Sequence, residues 1–159
     1  MDGTTELVAR NPSAIPIPRE EIGVDLQPMT TTVTVTADRR WLKSPHGTEM
    51  NETITLDVSK FTSGTHYVAA TATMPYAYFK SGLPLGKITA SGLYGPYNSG
   101  ASDGTQVLAG LLETETAFNP AVTKVGAALR VHGSIDTAKL PVALTVPAAA
   151  SRTDNLRFS

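Results

Sequence analysis

The histidines are the residues whose side chains best suit acid–base chemistry or metal binding in this sequence. His46, His66 and His132 lie far apart along the chain, and His46 and His132 each precede a glycine. Catalytic and metal sites usually draw several such side chains together at recognisable spacings. The chain also has no cysteine, so it has no thiolate ligand. We therefore expect His46 and His132 to occupy turns, and we predict no metal site.

Asp103 is the carboxylate with the strongest claim to act as a general base. It lies in a glycine-rich stretch, residues 91–112, with the sequence SGLYGPYNSGASDGTQVLAGLL. An Asp-Gly pair is also a favoured turn, because both residues tolerate positive φ, and this explains Asp103 without any partner. The glycines fit neither the dinucleotide-binding spacing nor the P-loop spacing. We predict no catalytic residue and no cofactor, and therefore a protein that is not an enzyme.

The composition limits the classes of partner. The chain has 13 basic and 14 acidic residues, so it lacks the basic field that nucleic-acid binding needs. No apolar run is long enough to span a bilayer, and no signal peptide is visible at the N-terminus. We expect no nucleic-acid partner and no membrane partner. We also expect the protein to remain where it is made, or in whatever is assembled there.

The first 28 residues contain four prolines, Pro12, Pro16, Pro18 and Pro28. Proline fixes φ and removes a backbone donor, so the segment SAIPIPRE favours an extended arm over a helix. We predict two regions: residues 1–29 as an extended arm and residues 30–159 as a β-rich domain. Ile15 and Ile17 are the candidate anchors of the arm.

Period-2 alternation and runs of apolar residues predict a mainly β class. The predicted strands are residues 30–36, 53–58, 83–90, 106–112 and 125–131, and residues 106–112 are apolar on both faces. Short helical turns are expected at residues 135–140, with Ser134 as N-cap, and in the C-terminal tail. The expected fold is a compact, turn-rich β-sandwich or barrel-like domain with an N-terminal arm.

The run LPLGKITASGLYGPYNSGASDGTQVLAGLL, residues 83–112, resembles the signature of lambda-like bacteriophage head decoration proteins, also called capsid cement proteins. Upstream, WLKSPHGTE and TITLDVSKF are similar to the longer versions from phages of actinobacteria, and downstream VGAALRVHGSID resembles the family's next strand. It covers residues 40–140. The signature contains a structural turn formed by Gly92, Tyr94, Pro96, Tyr97, Asp103 and Gly104.

The resemblance implies a structural role. Such proteins bind the outer surface of the expanded phage head after assembly in the host cytoplasm, usually as homotrimers at local three-fold positions, and stabilise the capsid against internal DNA pressure. The implied partners are the major capsid protein and further copies of the chain. The arm, with Ile15, Pro16, Ile17 and Pro18, would contact the capsid by adding a strand to it.

Three alternatives remain open from the sequence. A trimeric phage tail or fibre component would also be β-rich and rich in turns. A carbohydrate-binding β module could stack a sugar on Trp41, although a lone tryptophan is more often an anchor for its loop or an interface contact. An enzyme with an unrecognised β-barrel site would need polar side chains converging in a deep pocket.

Overall fold

The computed structural model describes residues 34–159, and these form short strands joined by tight turns. The strands in chain order are β1 (Asn51–Asp57), β2 (Tyr67–Val68), β3 (Ala77–Phe79), β4 (Pro84–Lys87), β5 (Tyr94–Pro96), β6 (Leu108–Leu112), β7 (Thr116–Phe118), β8 (Lys124–Arg130), β9 (His132–Ile135) and β10 (Asn155–Phe158). Within this part of the chain the helical elements are three short 3-10 turns, Val58–Lys60, Thr137–Lys139 and Ala149–Ser151. None of the described helical elements has the length and apolar character needed to cross a membrane. The predicted mainly β class is confirmed.

Five strands close into a barrel in the order β1-β5-β4-β6-β8. β1 pairs with β8 in antiparallel fashion along its whole length, from Asn51 opposite Arg130 to Asp57 opposite Lys124. β4 lies between β5 and β6 and is antiparallel to both. The barrel closes where β1 runs parallel to β5. Closure leaves these five strands without a free sheet edge.

The barrel core follows the alternation of the sequence. Ile54 and Leu56 of β1 are buried, whereas their neighbours Thr53 and Thr55 are exposed. All five residues of β6 are buried, because Leu112 packs in the main core cluster and Leu111 packs in a second one. Four predicted strands are therefore confirmed within a few residues, as β1, β4, β6 and β8.

A three-stranded sheet, β2-β3-β7, contributes aromatic side chains to the main core cluster. Phe79 of β3 stacks on Phe118 of β7 with ring centroids 4.5 Å apart, and Phe61 meets Phe79 edge-on at 4.8 Å. Such aromatic pairs each contribute roughly 0.5–1.5 kcal/mol beyond the burial of their area. The inner face of this sheet is thereby fixed onto the barrel.

A second cluster joins Trp41 to β6, β9 and β10. Trp41 is 1 % exposed and packs with Leu111, Ile135 and Leu156. Its indole N–H lies 3.1 Å from the carbonyl oxygen of Asp38 and 3.2 Å from Ser81 Oγ. Trp41 therefore anchors its loop, and a sugar has no open ring face to stack on.

Arg130, at the end of β8, is completely buried. Its guanidinium donates to Glu113 Oε2 at 2.8 Å and to the His46 carbonyl oxygen at 3.0 Å. Glu113 is 4 % exposed and also accepts from Arg39 at 2.9 Å. A buried guanidinium is tolerated only when it is paired and hydrogen-bonded, so Glu113 is the residue that allows Arg130 to be buried here.

Two sequence expectations about local structure differ from the structure. Within the predicted strand 30–36, residues 30–33 lie outside the described residues and residues 34–36 form no strand. Ser134 lies in β9 rather than at a helix start, and the following 3-10 turn is capped by Asp136, which accepts from the Ala138 N–H at 3.2 Å. The short helical turn expected in the C-terminal tail is present as Ala149–Ser151, and β10 follows it, because β9 offers that segment a partner strand.

Candidate functional site

The glycine-rich stretch builds the barrel. Its residues form β5 and β6, which lie on either side of β4 in the barrel. The predicted turn at Tyr94 and Pro96 is wrong, because these residues form β5 and pair with Lys87 and Leu85 of β4. A strand of three residues that contains a glycine and a proline gives no alternating pattern, so the sequence did not reveal it. Tyr97, just after β5, donates its N–H to the Pro84 carbonyl at 2.9 Å.

Several glycines in and just before this stretch are required by a positive φ or by close backbone contacts. Gly92 and Gly104 have positive φ, of 71° and 108°. A methyl group on Gly104 would overlap the carbonyl oxygen of Lys87 and Thr89 Oγ1, and one on Gly86 would lie 2.6 Å from the carbonyl oxygen of Thr105. The loop before β6 thus lies directly on the backbone of β4, and the glycines have a structural explanation.

Asp103 is exposed and caps its own turn. Its Oδ1 accepts from the Thr105 hydroxyl at 2.6 Å and from the Thr105 N–H at 3.0 Å. These hydrogen bonds lower the pKa of Asp103 below its ordinary value, the side-chain bond from Thr105 having the largest effect. A carboxylate with a lowered pKa is a weak base at neutral pH. The geometry therefore favours the turn over the general-base alternative.

We expect the Thr105→Val variant to raise the pKa of Asp103 toward its ordinary value, because the hydroxyl donor is removed. Since the folded-state pKa is lowered, ionised Asp103 adds stability above the ordinary carboxyl pKa, and this stability is lost as the pH falls through the lowered value. An NMR titration of the Asp103 carboxyl carbon measures the shift, with Asp57 as internal reference. An unchanged pKa in the variant would contradict the assignment.

One sequence pattern, around Ser102, stands against the prediction of no catalytic residue. Gly100 to Gly104 reads GASDG, which fits the G-x-S-x-G spacing of a nucleophile elbow at Ser102. That pattern requires a strand before the serine and a helix after it. Here Ser102 is exposed in the bends between β5 and β6, and the next element is a strand. The structural context of an elbow is therefore missing at Ser102.

The structure brings together two histidines that are far apart in the sequence. The rings of His46 and His132 meet edge-on with centroids 5.0 Å apart. His66 lies elsewhere; its Nδ1 accepts from the Thr62 N–H at 2.8 Å, and burial lowers its pKa. Within the described residues no group of three or more His, Asp or Glu side chains is arranged to hold a metal ion. His46 lies in a turn as expected, whereas His132 lies in β9. No pattern in the sequence indicates that the two rings meet, because their contact depends on how the loop before β1 folds onto β9.

An apolar patch lies on the outer face of the three-stranded sheet. Val68, Tyr78 and Ala117 occupy neighbouring positions across β2, β3 and β7, on the face opposite the aromatic core. A shallow cavity lies on this face, and the following residues around it are here called the apolar patch: Val35, Met74, Pro75, Tyr76, Tyr78 and Ala117. Tyr76 is 53 % exposed. The outer face of a surface sheet is normally polar, so a continuous apolar patch there indicates a contact surface.

The predicted arm residues Ile15, Pro16, Ile17 and Pro18 lie outside the described residues. Compared with known proteins, the chain matches no family model, no curated protein and no solved structure. The functional argument therefore depends on the chain's own residues.

Proposed function

We propose that this chain is a structural virion protein that binds the outer surface of the expanded phage head, as a homotrimer at local three-fold positions, and stabilises the capsid against DNA pressure. One observation carries the proposal: the residues on which the decoration-protein resemblance depends are the ones that build the barrel. Leu85 and Leu111 are fully buried in β4 and β6, and Gly86 and Gly104 allow the close backbone contacts.

A closed barrel suits a bracing role for a physical reason. Its strands are hydrogen-bonded to neighbours on both sides, and its interior is close-packed, so it resists deformation. The aromatic cluster of Phe61, Phe79 and Phe118 extends this packing to the three-stranded sheet. Such a block transmits load between the surfaces it contacts, and this requires no ligand pocket.

The arm carries the first test of the proposal. We expect a variant lacking residues 2–28 to keep its fold and to lose binding to expanded heads, because the proline-rich segment adds little to a core and supplies the extended backbone for strand addition. Three copies of one weak arm contact give tight attachment through effective concentration. Co-sedimentation with emptied, expanded heads measures the binding, and circular dichroism checks the fold.

The control is the full-length chain on the same heads, imaged by electron microscopy. Density at the three-fold positions supports the proposal. Undiminished head binding by the truncated variant contradicts the role of the arm. Labelling of the tail instead of the head would assign the protein to a tail or fibre.

The apolar patch leads to a prediction about self-association. We propose that the patch forms the contact between copies, because it presents aromatic and aliphatic side chains without a charged member. We expect Tyr76→Ser to weaken trimer formation at least about tenfold, a loss typical of an aromatic interface residue. Trimer formation is measured by analytical ultracentrifugation of the free protein in solution, or by cross-linking of the protein bound to the head surface.

The matched control is Met50→Ser. Met50 is 62 % exposed but does not belong to the patch, so this variant should associate like the unchanged chain. A stable dimer, or equal effects of the two variants, would contradict the assignment of the patch.

A further inference from the structure

The paired histidines line a separate polar cavity of about 320 Å³. Two neighbouring strands form its wall. In the parallel pairing of β9 with β10, Asn155 lies opposite His132 and Arg157 lies opposite Ser134. Residues two apart on a strand share a face, so these four side chains stand together on one side of the sheet. His46 completes the group from the loop before β1.

The lining consists of groups that can donate hydrogen bonds. It comprises His46, His132, Gly133, Ser134, Asn155 and Arg157, and no carboxylate is among them. The side chain of Arg157 is exposed, and it forms no ion pair or side-chain hydrogen bond with another described residue. A guanidinium beside imidazole, amide and hydroxyl donors matches the requirements of an oxyanion.

A buried charge lies directly behind the cavity wall. A methyl group placed on Gly133 would be 3.1 Å from Nη2 and 3.2 Å from Nε of Arg130, a residue that is completely buried. Arg130 Nε has no hydrogen-bond partner among the described residues. Glu113 pairs with the far side of this guanidinium, through Nη1. Nη2 donates to the His46 carbonyl at 3.0 Å, so Nε is the atom of this buried cation that lies beside Gly133 without a partner among the described residues.

The orientation of His132 is consistent with the same chemistry. Its Nδ1 is buried against Gly47 without a hydrogen-bond partner among the described residues. Its Nε2 is not among the buried atoms that lack such a partner. Arg130 also donates to the His46 carbonyl oxygen at 3.0 Å, and this hydrogen bond fixes the loop that contains His46.

We infer that this cavity is a binding site for an oxyanion, a phosphate or carboxylate group held by Arg157, His132 and Asn155. The inference is independent of the proposed function. It requires neither a head nor a second copy of the chain, because all of its groups belong to one domain.

An NMR titration tests the inference, because the described histidines are few enough to follow individually by their imidazole C–H signals. Inorganic phosphate and acetate are added separately to the full chain at constant pH and ionic strength, with chloride as the reference salt. We expect saturable shifts of the His46 and His132 signals while His66, outside the cavity, stays unchanged. A stronger response to phosphate than to acetate would identify the phosphate group as the preferred ligand, and the reverse order would identify the carboxylate.

Variants at two exposed cations complete the test. Arg157→Gln should weaken binding about tenfold, the effect of losing one charge-assisted hydrogen bond. Lys124→Gln removes the same charge from β8, outside the cavity, and should leave binding unchanged. Shifts that never saturate, shifts of all three histidines together, or equal losses in both variants would overturn the site.

Discussion

Replacing Glu113 with glutamine is expected to lower the free energy of unfolding by about 3–5 kcal/mol, because it leaves the buried charge of Arg130 uncompensated. The guanidinium cannot lose its proton within the accessible pH range, so it cannot relieve the cost by becoming neutral. Glu113 is its carboxylate partner at 2.8 Å. The loss is large because Arg130 has no route to solvent.

Urea unfolding of the Glu113→Gln variant measures the effect, and two further variants give the comparison. Arg39→Gln removes the outer partner of Glu113, whose side chain is 39 % exposed, and should cost about 1 kcal/mol or less. Glu52→Gln removes an exposed carboxylate from β1 and should change stability by less than about 0.5 kcal/mol. Similar losses in all three variants would mean that Arg130 does not depend on Glu113.

Replacing Gly104 with alanine is expected to cost about 2–4 kcal/mol, the sum of a left-handed backbone conformation and a steric overlap. Its φ is 108°, and the added methyl would meet the carbonyl oxygen of Lys87 and Thr89 Oγ1. Relief would require the loop before β6 to move away from β4. That movement would also break the hydrogen bond from the Thr89 N–H to the Asp103 carbonyl, which is 2.8 Å long.

The matched control is Gly126→Ala in β8. Gly126 has no unusual φ, and a methyl there would meet nothing within 4 Å. Alanine should leave stability unchanged or raise it by up to about 1 kcal/mol, because it restricts the unfolded chain. Thermal unfolding compares the two variants. A Gly104 variant as stable as the Gly126 variant would refute the steric requirement.

The mainly β class and four barrel strands were predictable from local patterns. Ile54 and Leu56 alternate with threonines, and residues 107–112 are apolar throughout, so the buried positions of these strands can be read from the sequence. β5 and β10 were missed because their pairing depends on partner strands rather than on their own alternation. For Trp41 the sequence left a loop anchor and an interface contact open, and its burial favours the loop anchor, since a large ring with one donor can be buried once the donor finds an acceptor.

The polar groups were harder to predict. Alternation along β8 places Arg130 on the face away from Leu129, but it gives no indication that Trp41 and β9 cover that face. The contact between His46 and His132 also depends on how loops pack against β9. Side chains that meet through loop packing leave no periodic signal, so neither the buried ion pair nor the polar cavity could be located from spacing alone. The arm remains a prediction, because it lies outside the described residues.

The pairing of β1 with β8 has a consequence for how the chain folds. Asn51 finds its partner at Arg130, about half the chain length away, and the barrel cannot close before both strands are present. Proteins dominated by such distant pairings fold in milliseconds to seconds rather than microseconds. During synthesis β1 therefore stays unpaired with β8, and its apolar side stays exposed, until nearly the whole domain has left the ribosome. The alternating threonines of β1 keep its other side compatible with water throughout that delay.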